Sequence, residues 1–183
     1  MKYFEHLCDF DVKELEGQLD AQPELWNTHP ERTSNDIFAG TSDIWVRFRD
    51  KRELRELQHY LEPHFAVYYP AWSSLPALRP IVRVLMALLG AEHLGGILIT
   101  KIPPHGWIKP HSDRGCWHAE FYETKIYVPI KTNPLCVNRC EEEVMAMPRG
   151  QAWYFNNLVT HEVRNDGDTD RVTLIVCLRV EDQ

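Results

Sequence analysis

Ile97-Leu98-Ile99-Thr100-Lys101-Ile102 and Thr124-Lys125-Ile126-Tyr127-Val128-Pro129-Ile130 are the runs whose reading decides the fold. Both are short and dominated by β-branched and aromatic residues, the composition of strands rather than helices. Val144–Met147, Gln151–Asn156 and Arg171–Val180 have the same texture. Between these runs lie Pro103-Pro104, Asn133-Pro134, Pro148-Arg149-Gly150, Asn156-Asn157 and Asn165-Asp166-Gly167-Asp168, all turn chemistry. Many short strands at close spacing predict a β-sandwich or barrel, of which the jelly roll is one solution.

Upstream of Gly95-Gly96 the chain reads differently. Phe10 to Leu19 carries apolar residues at helical spacing, with an aspartate able to cap the start. Further helices are predicted at Lys51–Leu61 and Leu75–Leu89, the second with an apolar face of Leu78, Ile81, Val82, Leu85, Leu88 and Leu89 that should pack on a sheet. Ser42 to Phe48 reads as a short strand, and Pro23 to Gly40 as loop. The expectation is a single domain over 1–183: a helical and irregular part, 1–92, packing on a β core, 93–183. With 183 residues the chain is long enough for a real core, domains clustering near ~100–150 residues.

A net charge of −7 argues against a nucleic-acid binder, which needs a basic face for phosphate. The first residues are acidic where an export signal would be apolar, and the longest apolar stretch, around Ile81–Leu89, is too short to span a bilayer. Five cysteines make an odd count without scaffold spacing, so a reduced, cytoplasmic protein is expected.

The sharpest chemical feature is His111-Ser112-Asp113, followed by His161 and then Arg171. Residues i and i+2 of a strand face the same way, so His111 and Asp113 can offer an imidazole and a carboxylate to one metal ion. His161 would add a third ligand from another strand. Two histidines and a carboxylate leave coordination positions open, as in non-haem Fe(II) oxygenases, whereas a structural zinc site wants a closed tetrahedral set. An H-x-D by itself also fits a loop histidine beside a solvated aspartate. Arg171 adds weight, because a guanidinium fork binds a carboxylate bidentately. Taken alone, Arg171 could instead pair with Asp168 or Asp170 in the preceding turn.

From Ile99 to Val180 the sequence resembles the aspartyl/asparaginyl β-hydroxylases and their bacterial proline-hydroxylase relatives. The resemblance rests on Thr100 to His111, Lys125 to Ile130, Cys136 to Cys140, Gly150 to Asn157, His161-Glu162-Val163 and Arg171 to Ile175. It implies a double-stranded β-helix (jelly-roll, cupin-like) core buttressed by the N-terminal helices. It further implies Fe(II), with 2-oxoglutarate and O2 as co-substrates, and hydroxylation of an amino-acid side chain, free or in a polypeptide. His111 and His161 would be metal ligands, and Arg171 would hold the distal carboxylate of 2-oxoglutarate. Thr100 stands where a small hydroxyl residue helps hold that carboxylate. Lys125 and Tyr127 stand where the family has an arginine and a histidine near the cosubstrate. Asp113 completes the triad, as in the proline hydroxylases and unlike the vertebrate enzymes.

For substrate contacts, Arg114–Glu123 is a candidate lid, with Arg114 and Trp117 as contacts, while His118 reads better as a loop residue. Trp26, Arg32, Trp45 and Arg47 could close the pocket from the N-terminal half, or could be packing and surface residues. Cys136 and Cys140 read as packing, Trp153 and Phe155 as core, and Asn156-Asn157 as a turn. Two alternatives to the oxygenase remain at this level: a non-catalytic jelly-roll binding module, and a metal-dependent cupin enzyme that does not use 2-oxoglutarate.

Overall fold

The computed structural model describes residues 2–53 and 62–180. Two antiparallel sheets face each other. The larger has the order β1-β9-β6-β11-β4-β2-β3, formed by Phe4–Asp9 (β1), Gln151–Phe155 (β9), Thr124–Lys131 (β6), Arg171–Arg179 (β11), His93–Ile102 (β4), Ser42–Arg49 (β2) and Ala66–Tyr68 (β3). The smaller has the order β5-β10-β7-β8, formed by Trp107–His111, His161–Asn165, Cys136–Cys140 and Glu143–Met145. This is the expected mainly β, jelly-roll architecture.

Strand alternation sorts the apolar side chains into two cores. Ile97 and Ile99 of β4, Ile126, Val128 and Ile130 of β6, and Val172, Leu174, Val176 and Leu178 of β11 form the outer face of the large sheet. Against them pack Leu15 and Leu19 of helix α1 (Lys13–Asp20) and Leu78, Ile81, Val82 and Leu85 of helix α3 (Leu78–Leu89). The alternate residues, among them Leu98, Ile102, Tyr127, Ile175 and Cys177, face the small sheet and fill the barrel with Ile108, Cys140, Phe155 and Val163. So the helices buttress one face, as expected, and the opposite face of the same strands lines the barrel.

The predicted elements carry over with shifted ends. Asp11 accepts a hydrogen bond from the Lys13 N–H at 2.9 Å and so helps start α1. Leu75 ends the short helix α2 (Ala71–Ser74), and α3 begins only at Leu78, after Pro76; Leu88 stays exposed. Pro80 sits in the first turn of α3, where its missing N–H costs nothing. Of the helix expected at Lys51–Leu61, Lys51–Glu53 form a 3-10 turn and the rest lies outside the described residues.

The larger difference is in the N-terminal half, which supplies strands β1 and β3 as well as the expected β2. β1 (Phe-Glu-His-Leu-Cys-Asp) and β3 are edge strands, so only one side of each ladder must be satisfied and neither carries clean alternation. Gly95, which reads as a breaker, lies inside β4. A Cβ there would come within 2.6 Å of the Tyr122 ring, so the glycine admits that buried ring against the strand.

Candidate metal and cosubstrate site

The site lies at one end of the small sheet. β5 and β10 are antiparallel with His111 directly opposite His161, which brings the two rings to 4.2 Å between centroids. β5 ends at His111, so Asp113 lies beyond the strand rather than on it. The backbone bond from Asp113 N–H to the Asn157 carbonyl, 3.0 Å, brings it back to the site. Ligand atoms of His111, Asp113 and His161 all lie within 4.8 Å of one another.

Hydrogen bonds fix what each group offers. His111 Nδ1 lies 2.7 Å from the Lys109 carbonyl and His161 Nδ1 lies 3.0 Å from the Val159 carbonyl. A carbonyl only accepts, so both Nδ1 atoms carry the proton and both Nε2 atoms are free bases. His161 Nε2 is buried and has no hydrogen-bond partner among the described residues. Asp113 Oδ2 accepts from Lys125 Nζ and from Asn157 Nδ2, each at 2.8 Å, while Oδ1 faces His111 Nε2 at 3.7 Å.

The protonation states follow. Burial lowers the pKa of His111 and, with the Lys125 ammonium, pushes His161 down to about 4, so both imidazoles are neutral near pH 7. Burial by itself would raise the Asp113 carboxyl. The Lys125 charge and the bonds from Lys125 and Asn157 outweigh it and hold the carboxyl well below the usual range. Burial likewise opposes the Lys125 charge, but Asp113 holds the ammonium above its ordinary value. Two neutral imidazoles and one ionised carboxylate are the states in which these groups bind a metal.

The donor set therefore fits a divalent ion on His111 Nε2, His161 Nε2 and Asp113 Oδ1. An orphaned, buried Nε2 is otherwise costly. Cys140 is level with His161 on the neighbouring strand, but its thiol is turned to the Asn156 carbonyl at 3.9 Å and it does not join the three converging ligand atoms. The open set suits Fe(II) better than structural zinc.

Beyond the triad, Arg171 projects from β11 into the barrel and is 3% exposed. Its Nη2 donates to Asn138 Oδ1 at 2.9 Å and its guanidinium lies 5.6 Å from the Tyr127 ring centroid. Among the described residues no carboxylate pairs with it, and Asp168 contacts His105 instead. Thr173, two residues along the same strand face, has a buried hydroxyl without a partner among the described residues. Tyr127 packs on Phe155 at 4.5 Å, and Phe155 in turn packs edge-on against His161 at 5.3 Å.

So the structure brings His111, Asp113, His161, Lys125, Tyr127 and Arg171 to one barrel lining. Thr100 also faces inward, but it gives its only hydroxyl proton to Asp43 Oδ1, 2.7 Å away, and has none left for a cosubstrate carboxylate. Most of the remaining candidates are engaged in other contacts, Trp45 and Trp117 within or against the barrel core itself. Trp45 is buried in an aromatic core with His29, Phe48 and Tyr69. A register shift between Trp45 and Arg47 turns Arg47 off the inward row, where its Nη1 donates to the Leu94 and Gly95 carbonyls. Trp117 stacks on Phe121 within the short helix α4 (Trp117–Phe121). Arg114 is exposed, and Trp26 lies under Lys101 and packs on the helical side of the sheet. His118 is no plain loop residue: it lies in α4 and accepts the Gly96 N–H at 3.1 Å.

Three participants were not singled out from sequence: Asn138 behind Arg171, Thr173 beside it, and Phe38, whose ring edge meets His111 at 5.2 Å. Asn157 reads as a turn residue but steadies Asp113. A hydroxyl at i+2 from Arg171 was a usable signal for Thr173. Nothing local marks the others, because their partners are far away in sequence.

The computed fold is similar to a prolyl hydroxylase from Trichoplax adhaerens in complex with a hypoxia inducible factor peptide fragment (TM-score 0.63, 10% identity, covering 97% of this chain and 83% of that one). It is also similar to a 2OG-Fe(II) oxygenase family oxidoreductase from Burkholderia pseudomallei (TM-score 0.56, 12% identity, 97% and 95%). In sequence the chain is 25% identical over 113 residues to an L-proline cis-4-hydroxylase from Rhizobium meliloti (strain 1021). That match covers 61% of this chain and 38% of the relative. Residues 53–180 match the model of the aspartyl/asparaginyl beta-hydroxylase family. The match takes in His111, Asp113, His161 and Arg171, and the chain belongs to that family.

Proposed function

We propose that this chain is an Fe(II)- and 2-oxoglutarate-dependent dioxygenase that hydroxylates an amino-acid side chain, free or within a peptide. The observation that carries the reading is Arg171: a buried guanidinium without a carboxylate partner among the described residues, on the lining that also holds three converging ligand atoms. A buried unpaired charge is expensive, and a dicarboxylate cosubstrate would offset that cost.

His111, Asp113 and His161 would hold the iron, which when bound would supply oxygen activation coupled to oxidative decarboxylation of 2-oxoglutarate. Arg171 takes the far carboxylate of the cosubstrate through its free N–H edge, and the Thr173 hydroxyl donates beside it. Tyr127 and Phe155 wall this end and keep water out. Lys125 and Asn157 keep Asp113 Oδ2 occupied, so Oδ1 alone points to the metal position.

Family membership and the names of the relatives support amino-acid or peptidyl hydroxylation. The complete ligand set argues against a binding module without turnover, and the unpaired Arg171 argues against a cupin that does without 2-oxoglutarate. All five cysteines are free thiols, which fits a reducing compartment, and a cytoplasmic location is part of the proposal. Among the described residues no helix is long and apolar enough to cross a membrane.

The test is succinate release from 2-oxoglutarate that depends on added Fe(II). The His111→Ala variant should abolish it. Purified protein that binds neither iron nor 2-oxoglutarate would refute the assignment.

A further inference from the structure

Arg32 lies ahead of the family match, in the segment between Leu25 and strand β2 that sequence reads as loop. The structure folds that segment over the metal position. The Lys109 N–H donates to the Ile37 carbonyl at 3.2 Å, Lys109 Nζ pairs with Asp36 at 2.7 Å, and the Phe38 ring meets His111 edge-on. The Arg32 guanidinium lies over the Phe38 ring, 3.7 Å from its centroid. Arg32 Nη1 donates to Asp43 Oδ2 at 2.6 Å, and Thr100 holds the other Asp43 oxygen.

This arrangement fixes an arginine without using it up. Asp43 is fully buried and doubly bonded, so it is a rigid anchor, and the ring holds the plane of the fork. One N–H of five is engaged with protein among the described residues, which leaves an edge for a bidentate anion. Asp43 stands opposite Thr100, whose side chain faces the barrel interior, and Phe38 meets His111, so Arg32 is held beside both the barrel lining and the triad.

We infer that Arg32 is a substrate-binding residue that receives a carboxylate of the molecule to be oxidised, seated on the His111 side of the metal position. The inference rests on the dioxygenase reading. The carboxylate comes either from a free amino acid or from an acidic side chain within a polypeptide, and in both cases it fixes which C–H faces the metal position.

Equilibrium binding separates these cases without turnover. The full chain is loaded with Mn(II) and 2-oxoglutarate and titrated calorimetrically with two sets of probes. The first is the common free L-amino acids and their primary amides. The second is the capped tripeptide N-acetyl-Gly-Asp-Gly-amide and its Asn counterpart. The expected result is that one carboxylate probe binds about tenfold or more tighter than its amide, and that Arg32→Gln removes this discrimination by weakening the acid alone. Binding confined to the first set assigns the free-acid source; binding confined to the second assigns the side-chain source.

Because Arg32→Gln leaves Asp43 buried and unpaired, the Arg32→Gln/Asp43→Asn double variant provides the same reading should the single variant fail to fold. Equal binding of acid and amide, no binding by any probe to protein that holds 2-oxoglutarate, or a loss in Arg32→Gln that falls on 2-oxoglutarate instead, each overturns the inference. Wild-type protein that fails to hold 2-oxoglutarate overturns the dioxygenase reading, and this inference falls with it.

Discussion

Replacing Arg171 by Met tests the cosubstrate site through stability rather than activity. In the structure Arg171 has one side-chain acceptor, Asn138 Oδ1, and a ring neighbour, Tyr127. Losing one hydrogen bond from a charged donor costs ~1.5–3 kcal/mol. Relief from burying an unpaired guanidinium works the other way by a similar amount, since apolar replacement of buried charge is often neutral or better. The cosubstrate-free variant should therefore melt close to wild type. Binding is another matter. Two charge-assisted bonds to a carboxylate at ~1.5–3 kcal/mol each amount to roughly 3–6 kcal/mol, or two to four orders of magnitude in Kd. With 2-oxoglutarate at about a hundred times its Kd, wild type gains ~2.7 kcal/mol, a rise in Tm of roughly 5–11 °C for a domain of this size. Arg171→Met should show almost none of that rise. The assay is thermal unfolding with Mn(II), with and without 2-oxoglutarate. A variant that keeps the full rise would refute the role given to Arg171, and one that collapses without cosubstrate would refute the energetic argument.

Two further outcomes are expected. The metal-free protein should lose stability as pH falls from about 6.5 towards 4, by a few kcal/mol in all, because burial lowers His118 to about 3 and His161 to about 4 in the folded state. In that window the unfolded chain binds more protons than the folded one, so acid favours unfolding; urea titrations at several pH values should show the slope, and His118→Phe should flatten it. Asn157→Ala removes one of two donors on Asp113 Oδ2 and should weaken metal binding about 10–100-fold while Arg171 still responds to 2-oxoglutarate once metal is saturating; unchanged metal affinity in a competition titration would show that Lys125 alone positions the carboxylate.

The β core was legible because its strands are central and buried on both faces. Ile126-Tyr127-Val128 and Arg171 to Leu178 carry the signal of burial directly in their composition. β1 and β3 were illegible for the opposite reason: as edges they are half-satisfied by one neighbour, and Glu5, His6, Val67 and Tyr68 can stay partly in water. The triad could be read because its residue types are rare in combination and two of its members are close in sequence. The surroundings of Thr100 and Arg47 depend on details that spacing does not encode. Asp43 stands opposite Thr100 and takes its proton, and a single extra residue in β2 redirects Arg47. The support for Asp113 and Arg171 was invisible because Asn157 lies 44 residues from the first and Asn138 33 from the second.

The two faces of the small sheet differ in what they can absorb. Inward, His111, His161 and Cys140 meet chemistry and tight packing. Outward, Trp107, Arg139, Glu162 and Arg164 form a cross-strand ladder in which Glu162 accepts from the Trp107 indole at 2.7 Å and pairs with Arg139 at 3.1 Å. None of these outward side chains is in the main core, and exposed pairs of this kind contribute little each. Change can therefore accumulate at these outward positions of β5, β10 and β7 while the inward residues stay fixed, so drift in surface charge and retention of the metal site can proceed on the same three strands.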